Sequence, residues 1–510
     1  MASVINSFAI RGIEAYVVKI ETDTIYGKPS VSIVGLGDTS IKESKERIEA
    51  SINHENYEFP KMKIVINLAP CDIKKSGSHF DLAMAIGILL QSKQIIFNEV
   101  NDFCFLGELS LNGDLRPVTG VLPMVIEAKK VGIKNVILPK ENYKEAKLVD
   151  GINIFIFDTL KNVIDFLENT KPYEFRLETQ EETITENCLD FKDVQGQDTV
   201  IDFVVAAAAG GHNIILSGPP GCGKSMIAKR IPTILPSMTK EESLEVTKIY
   251  SVAGLLIDKG SLITKRSFRS PHHNASMNAL IGGGNYAKPG EISLAHDGIL
   301  FLDEIPEFNR ITLEAIRQPM EDKIVNISRV KYSQTYPANF MLVAAMNPCP
   351  CGYYGEARCH CTDYEVLKYR NRISGPVLDR IDIQKYVRTV NFKELASHKE
   401  GRTSKELKFI VEKARQIQNE RYKNYSGINC NAQMTNSLIK EFCVLDTESY
   451  NILQKAYEKF NFSARSYNKF LMVSRTFADL EGEVNINKSH VVKTLLCRDL
   501  EKEKSKMMVV

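Results

Sequence analysis

The segment Gly218-Pro-Pro-Gly-Cys-Gly-Lys-Ser225 carries the spacing G-x-x-x-x-G-K-S. Glycines so spaced let a loop turn its backbone N–H groups onto phosphate oxygens, and a helix starting at its end adds partial positive charge. Lys224 is then placed to reach the β- and γ-phosphates of a nucleoside triphosphate, and Ser225 to hold Mg²⁺. The flanks suit this chemistry: an apolar strand, Asn213 to Leu216, precedes the loop, and a helix, Met226 to Arg230, follows it. The candidate nucleotide-binding residues are therefore Gly218, Pro219, Pro220, Gly221, Cys222, Gly223, Lys224, Ser225 and Met226.

Further along, Gly298-Ile-Leu-Phe-Leu-Asp-Glu304 reads as a buried strand ending in two acids. Asp303 suits Mg²⁺ through water, and Glu304 suits a base for an attacking water. Asn347 closes the strand Phe340 to Met346 and is the expected sensor of the γ-phosphate. Arg380, in Ile373–Asp382, has the character of an arginine supplied across a subunit boundary. Its alternative is an ion pair with Asp379 or Asp382. Arg465 opens a helix, where a cation opposes the helix dipole and calls for a local anion.

Other groupings carry less chemistry. Cys349, Cys351, Cys359 and Cys361 put four thiols in a short segment, with Gly352 to Gly355 as a turn between the pairs. Four thiolates suit a structural Zn²⁺, although C-x-C spacing departs from the usual two-residue spacers; free thiols or two disulfides are the alternatives, and His360 is a spare ligand. His272 and His273 are adjacent, with no acid close in sequence, and are expected to point apart in a packing or loop role. Lys288, in the loop from Gly282, and Arg329 and Lys331, in the turn between strands Ile324 to Ser328 and Gln334 to Tyr336, are candidate contacts to DNA phosphates, with Tyr332 for stacking.

The elements that must position these groups divide the chain. At 510 residues it is long enough for about three domains. An apolar fraction of 44% and a charged fraction of 25% exclude a mainly disordered, collagen-like or coiled-coil chain. Lys plus Arg is 65 and Asp plus Glu is 63, so any basic surface must be local. The longest apolar runs fall short of the ~18 residues of a spanning helix, the start of the chain lacks a secretory pattern, and cysteines that are mostly isolated suit a reduced, cytoplasmic protein. Residues 1–175 alternate strands (Ala15 to Glu21, Val31 to Val34, Lys63 to Leu68, Asn135 to Leu138) with helices (Ser40 to Ile52, Asp81 to Leu90, Leu122 to Lys130), plus a hairpin at Asn112-Gly113. Residues 176–190 read as an acidic linker. Residues 191–394 alternate strand and helix and predict a mostly parallel sheet. Residues 395–510 read as helical: Ser404 to Tyr422, Thr435 to Phe442, Thr447 to Phe460 and Ala464 to Leu480.

Together these residues resemble the AAA+ ATPases, specifically the magnesium-chelatase-like ComM/YifB family. Further blocks carry the resemblance: Val31-Ser-Ile-Val-Gly-Leu-Gly, Arg269-Ser-Pro-His-His-Asn-Ala-Ser276, Pro289-Gly-Glu-Ile-Ser-Leu-Ala-His296, Asn347-Pro-Cys-Pro-Cys-Gly352 and Ser463-Ala-Arg-Ser-Tyr467. The implied fold is multidomain α/β: a Lon-protease-like (S5-like) first domain, an AAA+ P-loop core with a helix-2 insert, and a helical lid. The resemblance implies Lys224 and Ser225 as Walker A, Asp303 and Glu304 as Walker B, Asn347 as sensor 1, Arg380 as arginine finger and Arg465 as sensor 2, acting in cis or in trans. It implies a homo-hexameric ring that uses ATP and Mg²⁺ and drives branch migration of single-stranded and branched DNA during natural transformation, with recombination proteins as partners. A chelatase-type or protein-remodelling ATPase, and a slowly hydrolysing DNA-binding scaffold, are the alternatives. Within the first domain, the Lon-like alignment puts His79 where the nucleophilic serine would stand and Leu122 where the lysine would stand. Imidazole beside an isobutyl group cannot form that dyad, so a non-proteolytic domain is expected.

Overall fold

The computed structural model describes residues 2–169, 173, 189–256, 261–284, 287–328, 333–392, 401–460 and 462–500. Most of the expected acidic linker lies outside them.

The first unit is built on a seven-stranded sheet. In spatial order its strands are Ser30–Val34, Lys63–Ala69, Glu14–Ile25, Ser3–Arg11, Phe103–Phe105, Asn135–Pro139 and Asn153–Phe157. Glu14–Ile25 runs antiparallel to both its neighbours, and the other pairings are parallel. Lys63–Ala69 buries every second residue, as a one-sided strand must. Ser3–Arg11, which periodicity alone did not single out, pairs residue for residue with Glu14–Ile25. Against the sheet lies the helix Asp81–Gln91, buried from Asp81 through Leu89. Its one acid, Asp81, is held by Arg47 (Nε to Oδ2, 2.7 Å) and the Ser44 hydroxyl.

The second unit has a five-stranded sheet in the order Phe268–Arg269, Ile299–Leu302, Met341–Met346, Ile214–Ser217 and Ile383–Tyr386. Every pairing is parallel, as the alternation of elements predicts. Ile214–Ser217, Ile299–Leu302 and Met341–Met346 are buried throughout, the pattern of a parallel sheet covered on both faces. A hairpin of Ile324–Ser328 and Ser333–Pro337 stands apart from this sheet. The chain then runs through Ser404–Tyr422, Asn436–Phe442, Thr447–Phe460, Ala464–Glu481 and Lys488–Leu495, all helices. The first opens on a capping box between Thr403 and Glu406, and Ala464–Glu481 ends on Gly482 in the left-handed conformation. Among the described residues no helix is long and apolar enough to cross a membrane.

The two units touch along the helix Lys240–Ala253. Ser251 donates its hydroxyl to Glu145, its carbonyl accepts from the Gly120 N–H (3.1 Å), and Lys248 Nζ lies 3.2 Å from Glu14. Glu145 also accepts the N–H of Leu122 at 2.8 Å.

His79 is buried, with Nε2 2.9 Å from the Phe8 carbonyl. A carbonyl only accepts, so Nε2 carries the proton. Burial pulls this imidazole from its ordinary 6.5 to about 4. The folded value lies below the unfolded one, so its contribution to stability is complete above pH 6.5 and disappears as pH falls toward 4. The full difference is about 3 kcal/mol. Between pH 7 and pH 5 the native chain should therefore lose more protection in backbone hydrogen exchange across Ser3–Arg11 than a His79→Gln chain. Equal losses would exclude His79 as the source.

Candidate active site

Parallel strands leave a sheet on the same edge. The register pairs Ser217 with Met346, so the residues following them depart side by side. After Ser217 comes the glycine loop, and after Met346 comes Asn347. Gly221 and Gly223 have φ of 77° and 94°, conformations that β-carbons disfavour. Gly218 is needed for a second reason: a Cβ there would sit 2.2 Å from the Val387 carbonyl oxygen. The helix Lys224–Arg230 starts directly from the loop.

Lys224 is buried within this cradle. Its Nζ donates to the carbonyls of Gly218 (2.6 Å) and Pro219 (2.9 Å) and to Asn347 Oδ1 (3.2 Å). Burial holds its ammonium below the usual lysine pKa. Ser225 Oγ donates to Asp303 Oδ2 at 2.8 Å, beyond the end of Ile299–Leu302. A hydroxyl and a carboxylate side by side are hard oxygen donors of the kind Mg²⁺ takes. Glu304 has φ 50° and ψ 47°. That left-handed backbone costs a non-glycine residue about 1 kcal/mol or more, a strain typical of functional sites. Its carboxylate faces a cavity of about 520 Å³ lined also by Asn347, Pro350, Lys368 and Arg372.

The two arginines stand elsewhere. Arg380 pairs with neither Asp379 nor Asp382. Its Nη2 lies 2.7 Å from Glu321 Oε2, and its Nη1 donates to the Pro376 carbonyl. Arg465 meets the other oxygen of the same Glu321. Asp382 is taken instead by Lys469 and by His212 Nδ1 (3.2 Å). Burial alone would raise this carboxyl, but Lys469 and His212 hold it well below the usual range.

Behind the phosphate loop, the sulfur atoms of the four cysteines lie within 4.8 Å of one another. Cys349–Cys351 is 3.3 Å, Cys351–Cys359 3.6 Å and Cys349–Cys359 3.9 Å. These are thiols, not disulfides. A tetrahedral ZnS₄ centre with 2.3 Å bonds has S–S edges of about 3.8 Å, so the donor set fits. His360 is not part of the cluster. Arg370 braces the segment through the Pro348 carbonyl (3.0 Å) and the ring of Tyr354.

The candidate DNA contacts are described only in part. Arg329, Lys331 and Tyr332 lie outside the described residues. Lys288 is exposed, in a two-residue strand paired with Gly282–Gly283. The hydroxyl of Tyr336 donates to the Ala287 carbonyl (2.9 Å), tying the Lys288 loop to the hairpin.

Three family descriptions match the chain: "Subunit ChlI of Mg-chelatase" over residues 20–142, "Magnesium chelatase, subunit ChlI" over 190–395, and "Magnesium chelatase, subunit ChlI C-terminal" over 401–498. The competence protein ComM of Haemophilus influenzae is 39% identical over 498 residues, 97% of this chain and 96% of that protein. YifB of Escherichia coli, described as uncharacterised, is 38% identical over 98% of this chain and 97% of its own length. The chain belongs to the magnesium-chelatase-like ComM/YifB family. Lon protease 2 of Bacillus subtilis is 35% identical over 119 residues, 22% of this chain and 21% of that protein. The Lon likeness thus covers part of a chain that is otherwise of the ComM/YifB type.

Two features of this ComM/YifB chain escaped the sequence reading. His272 and His273 do not diverge: their ring centroids are 4.1 Å apart, and His273 Nδ1 lies 3.8 Å from Glu304 Oε2. The acid absent from the local sequence arrives from the end of Ile299–Leu302, a contact that no spacing announces. Secondly, a cavity of about 840 Å³ lies beside the loop, walled by Val194, Gly196, Asp198, Lys385, Tyr386 and Arg402. Gln197 Nε2 links its wall to the loop, donating to the carbonyls of Arg388 (2.7 Å) and Cys222 (3.5 Å). The run Val194-Gln-Gly-Gln ahead of a helix was the available signal.

Gly352, in the cysteine loop, has φ 88°, and a Cβ there would come within 2.7 Å of Pro220 Cδ. Gly352→Ala should push the phosphate loop and weaken ATP binding by about tenfold, about 1–2 kcal/mol. Titration with a fluorescent ATP analogue reads this directly, and an unchanged Kd would mean that the two loops do not constrain each other.

Proposed function

We propose that this chain is a Mg·ATP-hydrolysing, ring-forming motor on DNA. The observation that carries the reading is the convergence of Lys224, Ser225, Asp303, Glu304 and Asn347 at one edge of a parallel sheet. Ser225 and Asp303 would hold Mg²⁺, which supplies charge neutralisation for the leaving and transferring phosphates. Glu304 orients the attacking water. Lys224 and Asn347 bind the γ-phosphate side, and the cavity beside Gln197 receives the base. Arg380 and Arg465 share one acid and bond no residue of their own phosphate loop. That placement favours action in trans, on ATP bound to the neighbouring subunit of a homo-hexamer. The four cysteines hold a structural Zn²⁺ that stiffens the loop behind Asn347.

The name of the Haemophilus influenzae relative supports a role in competence. We place the motor in the cytoplasm, promoting branch migration as incoming single strands recombine, with Lys288 and the hairpin turn on the DNA side and recombination proteins as partners. The domains are a non-proteolytic Lon-like unit over 1–175, an acidic linker over 176–190, the ATPase core over 191–394 and a helical lid over 395–510.

Steady-state ATPase should rise strongly with single-stranded or branched DNA and be lost in Lys224→Ala. Activity indifferent to DNA would redirect the reading to a chelatase-type or protein-remodelling ATPase. Metal analysis of the purified chain should give one zinc per chain, falling away in Cys349→Ser with Cys359→Ser; a metal-free native protein would remove the zinc assignment.

A further inference from the structure

Glu321 stands near the end of the helix Arg310–Asp322. Its two oxygens are divided between two guanidinium groups brought by different elements. Oε2 takes Arg380, which follows the short helix Gly375–Leu378, and Oε1 takes Arg465, in the first turn of Ala464–Glu481. The Arg380 side chain is 9% exposed and is fixed from behind by the Pro376 carbonyl at 2.6 Å. The Arg465 side chain is 44% exposed. The assembly is anchored on one side and open on the other. One turn before Glu321, Arg317 is tied to Glu314 at 2.6 Å, and its positive charge bears on Arg380. Asp379 also acts on Arg380 through space, so Arg317, Arg380 and Arg465 stand against Glu314, Glu321 and Asp379 in a balanced cluster. Two guanidinium groups this close repel each other unless an anion lies between them. A shared carboxylate removes that repulsion, fixes the angle between the two groups, and leaves their outer N–H edges to meet a second anion.

We propose that Glu321 is a positioning residue that sets Arg380 and Arg465 as one two-pronged clamp for the triphosphate bound to a neighbouring copy of this chain. The proposal rests on the trans roles of the two arginines advanced above. Glu321 itself touches no nucleotide and transfers no proton. It acts by preorganising two cations, so its removal should lower kcat while leaving the affinity of the phosphate loop for ATP nearly intact.

The test uses full-length Glu321→Ala, Glu321→Gln and Glu321→Asp beside Arg380→Ala, with kcat and the KM for ATP measured together. Glu321→Ala and Glu321→Gln should lower kcat by about 10²-fold, the scale of a displaced catalytic group, with little change in KM, and Glu321→Asp should recover part of it. A purely structural role would lower thermal stability and the folded fraction and leave kcat per folded chain unchanged, which overturns the proposal. Each variant is then mixed with Lys224→Ala, whose subunits lack the phosphate-loop lysine but present an intact clamp. Glu321→Ala mixtures should exceed the sum of their parts, because an intact phosphate loop then meets an intact clamp. Arg380→Ala mixtures test the trans reading separately. If they fail to complement, both the reading and the proposal fall. If they complement while Glu321→Ala alone keeps native kcat, the trans reading stands and the role of Glu321 is overturned.

Discussion

The hydrogen bond from the Lys224 ammonium to the Asn347 amide oxygen is the contact on which the site depends. It joins the helix that follows the glycine loop to the end of the neighbouring strand, and it depends on those strands being parallel and in register, Ser217 beside Met346. Antiparallel pairing would send the two residues to opposite edges of the sheet. The bond also resolves an electrostatic conflict. A cation buried in this loop would lose its proton readily, and burial does pull its pKa down, but Asp303 and Glu304 oppose that pull through space. Three oxygen dipoles satisfy its N–H groups while leaving its charge unneutralised by direct pairing. Such a group is a preorganised cation with no direct counter-ion, suited to meet an anion.

A second buried charge carries the geometry outward. Asp382 bonds the Asn213 N–H (3.2 Å) just before Ile214–Ser217, and Asn213 in turn donates to the Arg380 carbonyl (3.0 Å) and accepts from Leu342 N (2.8 Å). On its other side Asp382 holds Lys469, one turn beyond Arg465 on Ala464–Glu481, and His212, whose Nε2 meets Thr476 Oγ1 at 2.8 Å on the same helix. The base of the phosphate-binding strand, the backbone of Arg380 and the helix that opens with Arg465 are thus one hydrogen-bonded body. Breaking one partner of such a network strands the rest in low dielectric, so its members move together or not at all. Rotation of the last helices would therefore be felt at the strand that feeds the glycine loop.

Much of this was legible in the sequence, and the boundary between what was and was not follows physical range. The glycine loop, the Ile299–Leu302 strand with its two acids, and the helices Ser404–Tyr422 and Thr447–Phe460 are written locally, in spacing and periodicity. Ser3–Arg11 was not, because Ser-Val-Ile-Asn-Ser-Phe-Ala-Ile-Arg lacks clean alternation, and its strand character comes from pairing with Glu14–Ile25. Lys488–Leu495 is short and polar, and is fixed by an Asn487 capping box and packing against Ala464–Glu481. The partner of Arg380 was misplaced for a similar reason: nearby acids in sequence are natural candidates, yet a helix arriving from elsewhere supplied Glu321. Pair identities between distant segments are tertiary facts, and composition and spacing hold no record of them.

The first unit, part of which is similar to Lon protease 2, uses buried polar groups to hold its own elements and to meet the second unit. The His79 ring commits its Nε2–H to the Phe8 carbonyl and packs 4.0 Å from the ring of its neighbour Phe80, tying the start of the helix Asp81–Gln91 to the strand Ser3–Arg11. Leu122 is buried, and its backbone N–H is taken by Glu145, the acid that also receives the Ser251 hydroxyl from the second unit. An ammonium at this fully buried position would be a long polar group to satisfy out of reach of water. His79 and Leu122 both serve to hold the first unit together, and Glu145 carries that body directly to Lys240–Ala253, a helix of the second unit.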